Sequence, residues 1–239
     1  MTKNLFCKAC AMVVALLAAY SAQSASAALV NNNLSGKVEY DGWNSLTAST
    51  PGLSTAVLTT APGFGSNEAG SGNANLLRTS GGHYPAGSSL YSFSTPSTFE
   101  VSDTSALSDV GTVVLTINSW RNVISYTVPP TLNYNGGAQA LVPTYTGVAE
   151  AGMIDFGGPV QTYYDTFQWD LSAIGATITS YDIDWGQQVH AGVIALQLES
   201  ADVFSQSLAT IAVPEPSSCA IVSLLGFAML AKGRGRRRS

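Results

Sequence analysis

The sequence predicts an all-β protein built as an antiparallel β-sandwich, and three observations support that prediction. Segments in which apolar and polar residues alternate recur through the middle of the chain, as in strands with one buried face. The same region is rich in Ser, Thr, Gly, Val, Tyr and Asn but poor in Lys, Arg and Glu, a composition that suits strands and turns. Turn residues separate the segments, and no convincing amphipathic helix is present. We expect a jelly-roll-like arrangement of the two sheets.

The first predicted strand spans residues 37–43 (KVEYDGW). Val38 and Tyr40 fall on one of its faces, and the charged residues fall on the other. The Gly-rich stretch 59–89 is expected to be a long loop region with a short strand at 75–79.

The central predicted strands are more apolar. Residues 112–118 (TVVLTIN) are apolar enough for a central strand that is buried on both faces. Alternate apolar residues of 123–128 (VISYTV) share one face. Pro129 and Pro130 are expected to end that strand, because proline cannot donate to a β-ladder. Asn135 and the two glycines after it predict a tight hairpin turn.

Three segments near the C-terminal end of this region show clear alternation. The apolar residues expected to share one face of their strands are Phe167, Trp169 and Leu171, then Tyr181, Ile183 and Trp185, then Ile194, Leu196 and Leu198. The residues expected on the opposite, solvent-facing side of the first two strands are Gln168, Asp170, Asp182 and Asp184. We therefore expect Trp169 and Trp185 to belong to the core.

Charge and cysteine usage restrict the function. Between Ala28 and Ala212 the chain has three basic and fourteen acidic residues, a net charge of −11. This argues against nucleic acid, which binds clustered Lys and Arg, and against docking on anionic lipid. All three cysteines lie outside this region, so the core has no disulfide, thiol nucleophile or cysteine metal site. No long linker divides residues 28–212, which we interpret as one domain.

The N-terminus has the three-part pattern of a secretory signal peptide. Two lysines precede the apolar stretch 11–20, and Ala25 and Ala27 form a small-x-small cleavage site. The apolar stretch is shorter than the roughly 20 residues that span a membrane. Residues 1–27 are therefore predicted to be removed during export through the secretion translocon. The alternative is an uncleaved N-terminal helix.

The C-terminus predicts a membrane segment of fixed orientation. Residues 217–231 are apolar or small throughout, and a short helix of this kind can span a thinned bilayer. The basic cluster that follows consists of Lys232, Arg234, Arg236, Arg237 and Arg238. Such a cluster stays on the cytoplasmic side, so the domain would lie outside, where the signal peptide sends it.

This ending resembles the PEP-CTERM sorting signal of Gram-negative bacteria. Pro214, Glu215 and Pro216 form the tripeptide, 217–231 the helix and 232–239 the basic tail, so the resemblance covers 213–239. It implies that exosortase recognises and removes the tail at the inner membrane, in organisms that make extracellular polysaccharide. The protein would pass through an intermediate with its domain in the periplasm, and then reach the cell surface or the extracellular space. The alternative is a permanent single-helix anchor.

Residues with catalytic or metal-binding chemistry are sparse. Asp182 and Asp184 share one strand face and are weak candidates for Ca²⁺, but a solvated outer face is the favoured interpretation, so no metal or other cofactor is predicted. His83 and His190 are too few for a histidine metal site, and we expect loop or structural roles for both. The sequence contains neither a G-x-S-x-G elbow nor a P-loop, and it predicts no enzyme activity.

Aromatic residues suggest the remaining function class. Trp43 and Tyr84 lie in turn or loop contexts, so we expect them to be exposed and available to a ligand. The sequence therefore predicts a non-enzymatic surface or matrix protein associated with exopolysaccharide. A lectin-like carbohydrate-binding module is the alternative. A glycan-active enzyme is a further alternative, and it would need two carboxylates that face each other across one cleft.

Overall fold

The computed structural model describes residues 29–30, 32–120 and 125–205, which form two antiparallel sheets packed as a sandwich. The predicted signal peptide and sorting signal, including Ala25, Ala27, Pro214, Glu215 and Pro216, lie outside the described residues. Within the described ranges, none of the helices is long and apolar enough to cross a membrane.

Twelve strands and one short helix occur in the described part of the chain. Their bounds are β1 Val38–Trp43, α1 Thr55–Thr59, β2 Phe64–Gly65, β3 Asn75–Gly81, β4 Tyr84–Pro85, β5 Leu90–Tyr91, β6 Ser97–Asp103, β7 Thr112–Trp120, β8 Tyr126–Tyr134, β9 Tyr145–Asp155, β10 Pro159–Asp170, β11 Tyr181–Gln187 and β12 Gly192–Ala201. The region 59–89, expected to be a long loop with a short strand at 75–79, contains that strand as β3. It also contains β2, β4 and the end of α1, which were not predicted.

The seven-stranded sheet has the order β4-β5-β12-β7-β10-β9, and β1 also pairs with β12. The five-stranded sheet has the order β2-β3-β6-β11-β8. Strand β7 lies between β12 and β10, and Val113 and Val114 on its opposite faces are both fully buried. The predicted central strand is therefore confirmed.

The core lies between the sheets and contains three fully buried tryptophans, Trp43, Trp169 and Trp185. Trp185 stacks on Phe99 with ring centroids 5.3 Å apart. Trp169 donates from Nε1 to the carbonyl of Leu141 at 2.9 Å. The inward faces predicted for 167–171 and 181–185 are confirmed.

The alternation predicted in β1 leaves open which face is buried, and the structure buries the face that carries Asp41 and Trp43. Trp43 packs into the core, and residues two apart in a strand share a face, so Asp41 is also buried. Burial of the large indole outweighs the cost of burying this carboxylate, which accepts hydrogen bonds from Ser66 Oγ at 2.6 Å and from the backbone N–H of Ala74 at 3.1 Å. Tyr40 lies on the other face and donates to Glu68.

Three further local predictions can be compared with the structure. Pro129 and Pro130 lie inside β8 instead of ending it, because β8 is an edge strand with irregular pairing in this part. Ile194 lies at a register shift in β12 and packs outside the core, unlike Leu196. The hairpin turn after β8 is confirmed, since Asn135 and Gly136 have φ of 53° and 67°.

The outer face of the seven-stranded sheet is partly covered by the chain's own N-terminal segment. Val30 is clamped by Gln197, which accepts from the Val30 N–H at 3.1 Å and donates to the Val30 carbonyl at 2.7 Å. Leu29 is also buried, in a small cluster with Ala195 and Tyr164. Gln168 was predicted to face solvent, but it is buried on this face and donates to the carbonyl of Ser205 at 2.8 Å.

Candidate functional site

Six ring-bearing residues form what we call the aromatic patch, at one end of the outer face of the seven-stranded sheet. They are Tyr84, Tyr91, Phe93, Trp120, Phe156 and His190. Trp120 defines the face, because it has the opposite parity in β7 from the core residues Val113, Leu115 and Ile117.

Five of the six rings of the aromatic patch contact one another directly, and Tyr84 lies opposite Tyr91 in the β4–β5 pair. Trp120 stacks on Tyr91 with centroids 5.3 Å apart and an interplanar angle of 15°. Phe156 lies against both rings, 4.6 Å from Trp120 and 5.4 Å from Tyr91. Phe93 meets Tyr91 edge to face at 4.5 Å. Tyr91 and Trp120 are buried and form the base, and the other rings lie around them.

The outer members of the aromatic patch are unusually exposed for aromatic side chains. The exposed fraction is 63 % for Phe93, 39 % for Phe156 and 38 % for Tyr84. Aromatic rings that meet water in one contiguous area indicate a binding surface more often than single exposed apolar residues do.

Polar groups are interspersed among the rings. The hydroxyl of Tyr91 and Nδ1 of the exposed His190 are hydrogen-bonded at 2.6 Å. Trp120 donates from Nε1 to Ser89 Oγ at 3.2 Å. Burial, with a smaller contribution from Tyr84, raises the pKa of Tyr91, so its hydroxyl stays protonated in neutral solution.

Short-range hydrogen bonds explain why the chain presents Phe93 outward. Ser92 Oγ donates to the carbonyl of Thr95 at 2.7 Å and accepts from the Thr95 N–H at 3.2 Å. This closes a tight turn that leaves the residue after Ser92 at the surface. The carbonyl of Ser92 also accepts from the N–H of His190, whose φ of 61° lies in the left-handed region.

The tip of the β9–β10 hairpin positions Phe156. The N–H of Phe156 donates to the carbonyl of Gly158 at 2.9 Å, and Asp155 Oδ1 accepts from the Gly158 N–H at 3.0 Å. Gly157 and Gly158 have φ of 74° and 153°, values that a side chain would disfavour. The glycines thus allow the chain to reverse beside Trp120.

The two residues predicted to contact a ligand lie in different environments. Trp43 is fully buried and donates from Nε1 to the carbonyl of Phe64 at 3.0 Å, so the prediction that it is exposed is wrong. Tyr84 is exposed and lies in the aromatic patch, opposite Tyr91 in the β4–β5 pair. Contact of Tyr84 with a ligand remains a prediction.

His83 is buried and satisfied within the protein. Nδ1 lies 2.8 Å from Ser97 Oγ, and Nε2 lies 3.0 Å from the carbonyl of Ala191. Burial lowers the pKa of His83 to about 4, so the imidazole is neutral at pH 7. It tethers the chain before β4 to the start of β12, which agrees with the structural role expected from the sequence.

Sequence reasoning missed an internal carboxylate cluster formed by Glu39, Asp41 and Asp103. Asp41 Oδ2 and Glu39 Oε1 each lie 3.1 Å from the point that a Cβ would occupy at Gly72. Burial, with repulsion among the carboxylates, raises the pKa of Glu39 and of Asp41. Burial also raises the pKa of Asp103, although bonds from Ser105 and Tyr181 oppose this.

Asp182 and Asp184 lie together on the outer face of the five-stranded sheet. Asn133 Nδ2 donates to both carboxylates, at 2.8 Å to Asp182 and 3.2 Å to Asp184. Glu100 is adjacent, and burial together with repulsion from these two aspartates raises its pKa. Within the described residues no group of three His, Cys, Asp or Glu side chains is arranged to hold a metal ion.

The architecture defines the chain as a β-sandwich with an aromatic patch on the outer face of one sheet. No protein family, curated protein or solved structure matches it. Its function is therefore argued from its own residues.

Proposed function

We propose that the protein is an exported, non-enzymatic component of the cell surface or extracellular matrix, with a C-terminal tail that exosortase removes. The two terminal sequence patterns motivate the proposal. The structural observation that supports it is that the residue before β1 and the residue after β12 meet. Lys37 N–H donates to Asp202 Oδ1 at 2.8 Å, and the N–H of Asp202 donates to the carbonyl of Lys37 at 3.1 Å.

This pairing closes the sandwich before the tail begins. β1 and β12 are the first and last strands, and they pair from Val38↔Ala201 to Trp43↔Leu196. Further outward, the N–H of Ser35 donates to Ser205 Oγ at 3.3 Å. Cleavage within the sorting signal would therefore fall outside the paired strands, and the domain would keep its fold after processing.

We further infer that the sandwich is jelly-roll-like. The neighbour order β1-β12-β7-β10 in one sheet and β6-β11-β8 in the other supports this inference, because in both sheets early strands pair with late ones. In this interpretation β9 pairs with β10 in the seven-stranded sheet and not with a strand of the five-stranded sheet.

The internal carboxylate cluster does not provide the catalytic pair of a glycan-active enzyme. A glycan-active enzyme needs a carboxylate pair that a polymer can reach. Asp41 and Asp103, the most buried members of the cluster, are almost completely inaccessible to solvent. A polymer would have to open the sandwich to contact them.

Mass spectrometry of the protein from its native host tests the proposal. The surface fraction should contain a chain that lacks residues 1–27 and the basic cluster 232–239. A Glu215→Gln variant should retain the basic cluster and accumulate in the inner membrane, whereas Glu150→Gln, on the exposed strand β9, should be processed normally. An intact arginine-rich tail on surface protein would contradict the proposal.

The aromatic patch favours carbohydrate binding as a second candidate function. Its exposed rings provide faces for the C–H groups of sugar rings, and hydroxyl groups occur among them. Binding of the purified protein to glycans is the corresponding measurement.

A further inference from the structure

We propose that the aromatic patch is the docking site for a neutral polysaccharide, whose pyranose rings stack on Phe93 and Phe156. The proposal rests on the export proposed above, because export brings the protein to extracellular polymers. It adds the chemical class of the partner and the residues that bind it. Four observations carry it: the packing of the patch, its chemistry, its charge and its location.

The rings of the aromatic patch are held in place by the protein's own contacts. Phe156 packs against the stacked rings of Tyr91 and Trp120, and Phe93 packs against Tyr91 in a T-shaped arrangement. Their backbones are held by the Ser92 turn and by the hairpin tip at Gly158. A ligand that lands on Phe93 or Phe156 therefore orders few additional groups, which lowers the entropic cost of binding.

The chemistry of the patch fits a sugar better than a purely apolar partner. A pyranose presents an apolar C–H face together with hydroxyls around its edge. The patch offers exposed ring faces and, beside them, the Tyr84 hydroxyl, the Tyr91 hydroxyl and the imidazole of the exposed His190. These groups can donate to or accept from hydroxyls without ion pairing.

The negative charge of the domain favours a neutral polysaccharide over an anionic one. None of the six residues of the patch is Asp, Glu, Lys or Arg, and the domain between residues 28 and 212 carries a net charge of −11. An anionic polysaccharide would be repelled by that field, and none of the six residues is a Lys or Arg that would offset the repulsion. A neutral chain meets no such penalty.

The aromatic patch and Ser205, the last described residue, lie at different places on the seven-stranded sheet. Gln168, which holds Ser205, pairs with Val114 in β7, and Trp120 is six residues further along the same strand. At about 3.4 Å per residue the described C-terminal end lies roughly 20 Å from the base of the patch. Ser205, the last described residue, thus lies away from the rings that would bind the polymer.

Affinity electrophoresis and calorimetry with the protein purified from its host test the proposal. The probes are the neutral polymers dextran, β-1,3-glucan and galactan, the neutral fraction of the host's own polysaccharide, and anionic alginate. At least one neutral probe should bind, and the double variant Phe93→Ala/Phe156→Ala should weaken that binding at least about tenfold. Val142→Ala removes an apolar side chain that is 74 % exposed outside the patch and should leave binding unchanged.

Three outcomes would overturn the proposal. One is that no neutral probe binds, and another is that the double variant binds as well as the parent. The third is a concentration-dependent dimer that the double variant abolishes, which would assign the patch to a second copy of the chain. Near-ultraviolet circular dichroism confirms that each variant is folded. Tail processing, measured by mass spectrometry, is independent of these results, so failure here leaves the export proposal intact.

Discussion

Gly192 lies opposite Trp120 in the β12–β7 ladder, and the indole nitrogen of Trp120 occupies the space that a side chain at position 192 would fill. The absence of a side chain at the start of β12 thus allows the Trp120 ring to lie flat under Tyr91. The base of the aromatic patch therefore depends on three strands, with Gly192 in β12, Trp120 in β7 and Tyr91 in β5.

The first prediction is that Gly192→Ala disrupts this base. The added methyl group must displace Trp120, and overpacking of this kind costs about 1–3 kcal/mol in the free energy of unfolding. Urea denaturation and the near-ultraviolet signal of Trp120 measure the two effects. Gly147→Ala is the matched control, because nothing lies within 4 Å of a Cβ there. Equal behaviour of the two variants would contradict the packing described above.

The second prediction separates a core aromatic residue from a surface one. Trp43→Ala should lower the free energy of unfolding by about 3–5 kcal/mol, because it leaves a large cavity between the sheets. Phe93→Ala should lower it by less than about 1 kcal/mol, since 63 % of the side chain already meets water. Chemical denaturation of both variants is the measurement. A mild effect of Trp43→Ala would show that the indole is not a core residue.

The third prediction concerns the carboxylates Glu39, Asp41 and Asp103, whose pKa values are raised in the folded state. A folded protein that binds these protons more tightly than the unfolded chain gains stability as the pH falls through the raised pKa values toward about 4. Asp103→Asn should therefore stabilise the protein most at high pH and flatten the pH dependence. Urea midpoints at several pH values measure it. Glu150→Gln, on the exposed β9, should leave the dependence unchanged, and an unaltered slope in Asp103→Asn would refute the prediction.

The fourth prediction concerns His83, whose pKa burial lowers to about 4. Because the unfolded chain binds this proton more tightly, the neutral imidazole contributes stability that is fully present above pH 6.5 and is lost as the pH falls toward 4. The loss amounts to about 3 kcal/mol at the lower limit and opposes the effect of the carboxylates. Nuclear magnetic resonance titration of the His83 ring should give a pKa near 4. A value at or above 6.5 would mean that the ring is open to solvent.

Local alternation was sufficient to predict much of the sandwich. It identified β7 as a central strand and assigned Trp169 and Trp185 to the core, because one strand's own pattern carries that information. It did not place Trp43, which was expected in a turn or loop but is the last residue of β1 and has its side chain in the core. It also failed at β8, because a proline is compatible with an edge strand and the sequence does not show which strands are edges.

Most residues of the aromatic patch could not be predicted from the sequence. Of its six residues only Tyr84 was proposed as a ligand contact. The signal that could have helped is the short turn around Phe93, where an aromatic residue follows Ser92 with polar residues after it. Nothing in the sequence linked that turn to Phe156, because the two are joined only through Trp120 and Tyr91.

The sequence by itself determined the all-β architecture, the strongly acidic charge of the domain and the predicted export and sorting of the chain. Period, composition and terminal signals are local or additive properties, and they can be read without knowing which strands are neighbours. Only the tertiary structure decided that Trp43 is buried and that Phe93, Trp120, Phe156 and His190 share one surface. Those outcomes depend on strand pairing and register across β5, β12, β7 and the β9–β10 hairpin, and an individual strand's pattern does not specify its partners.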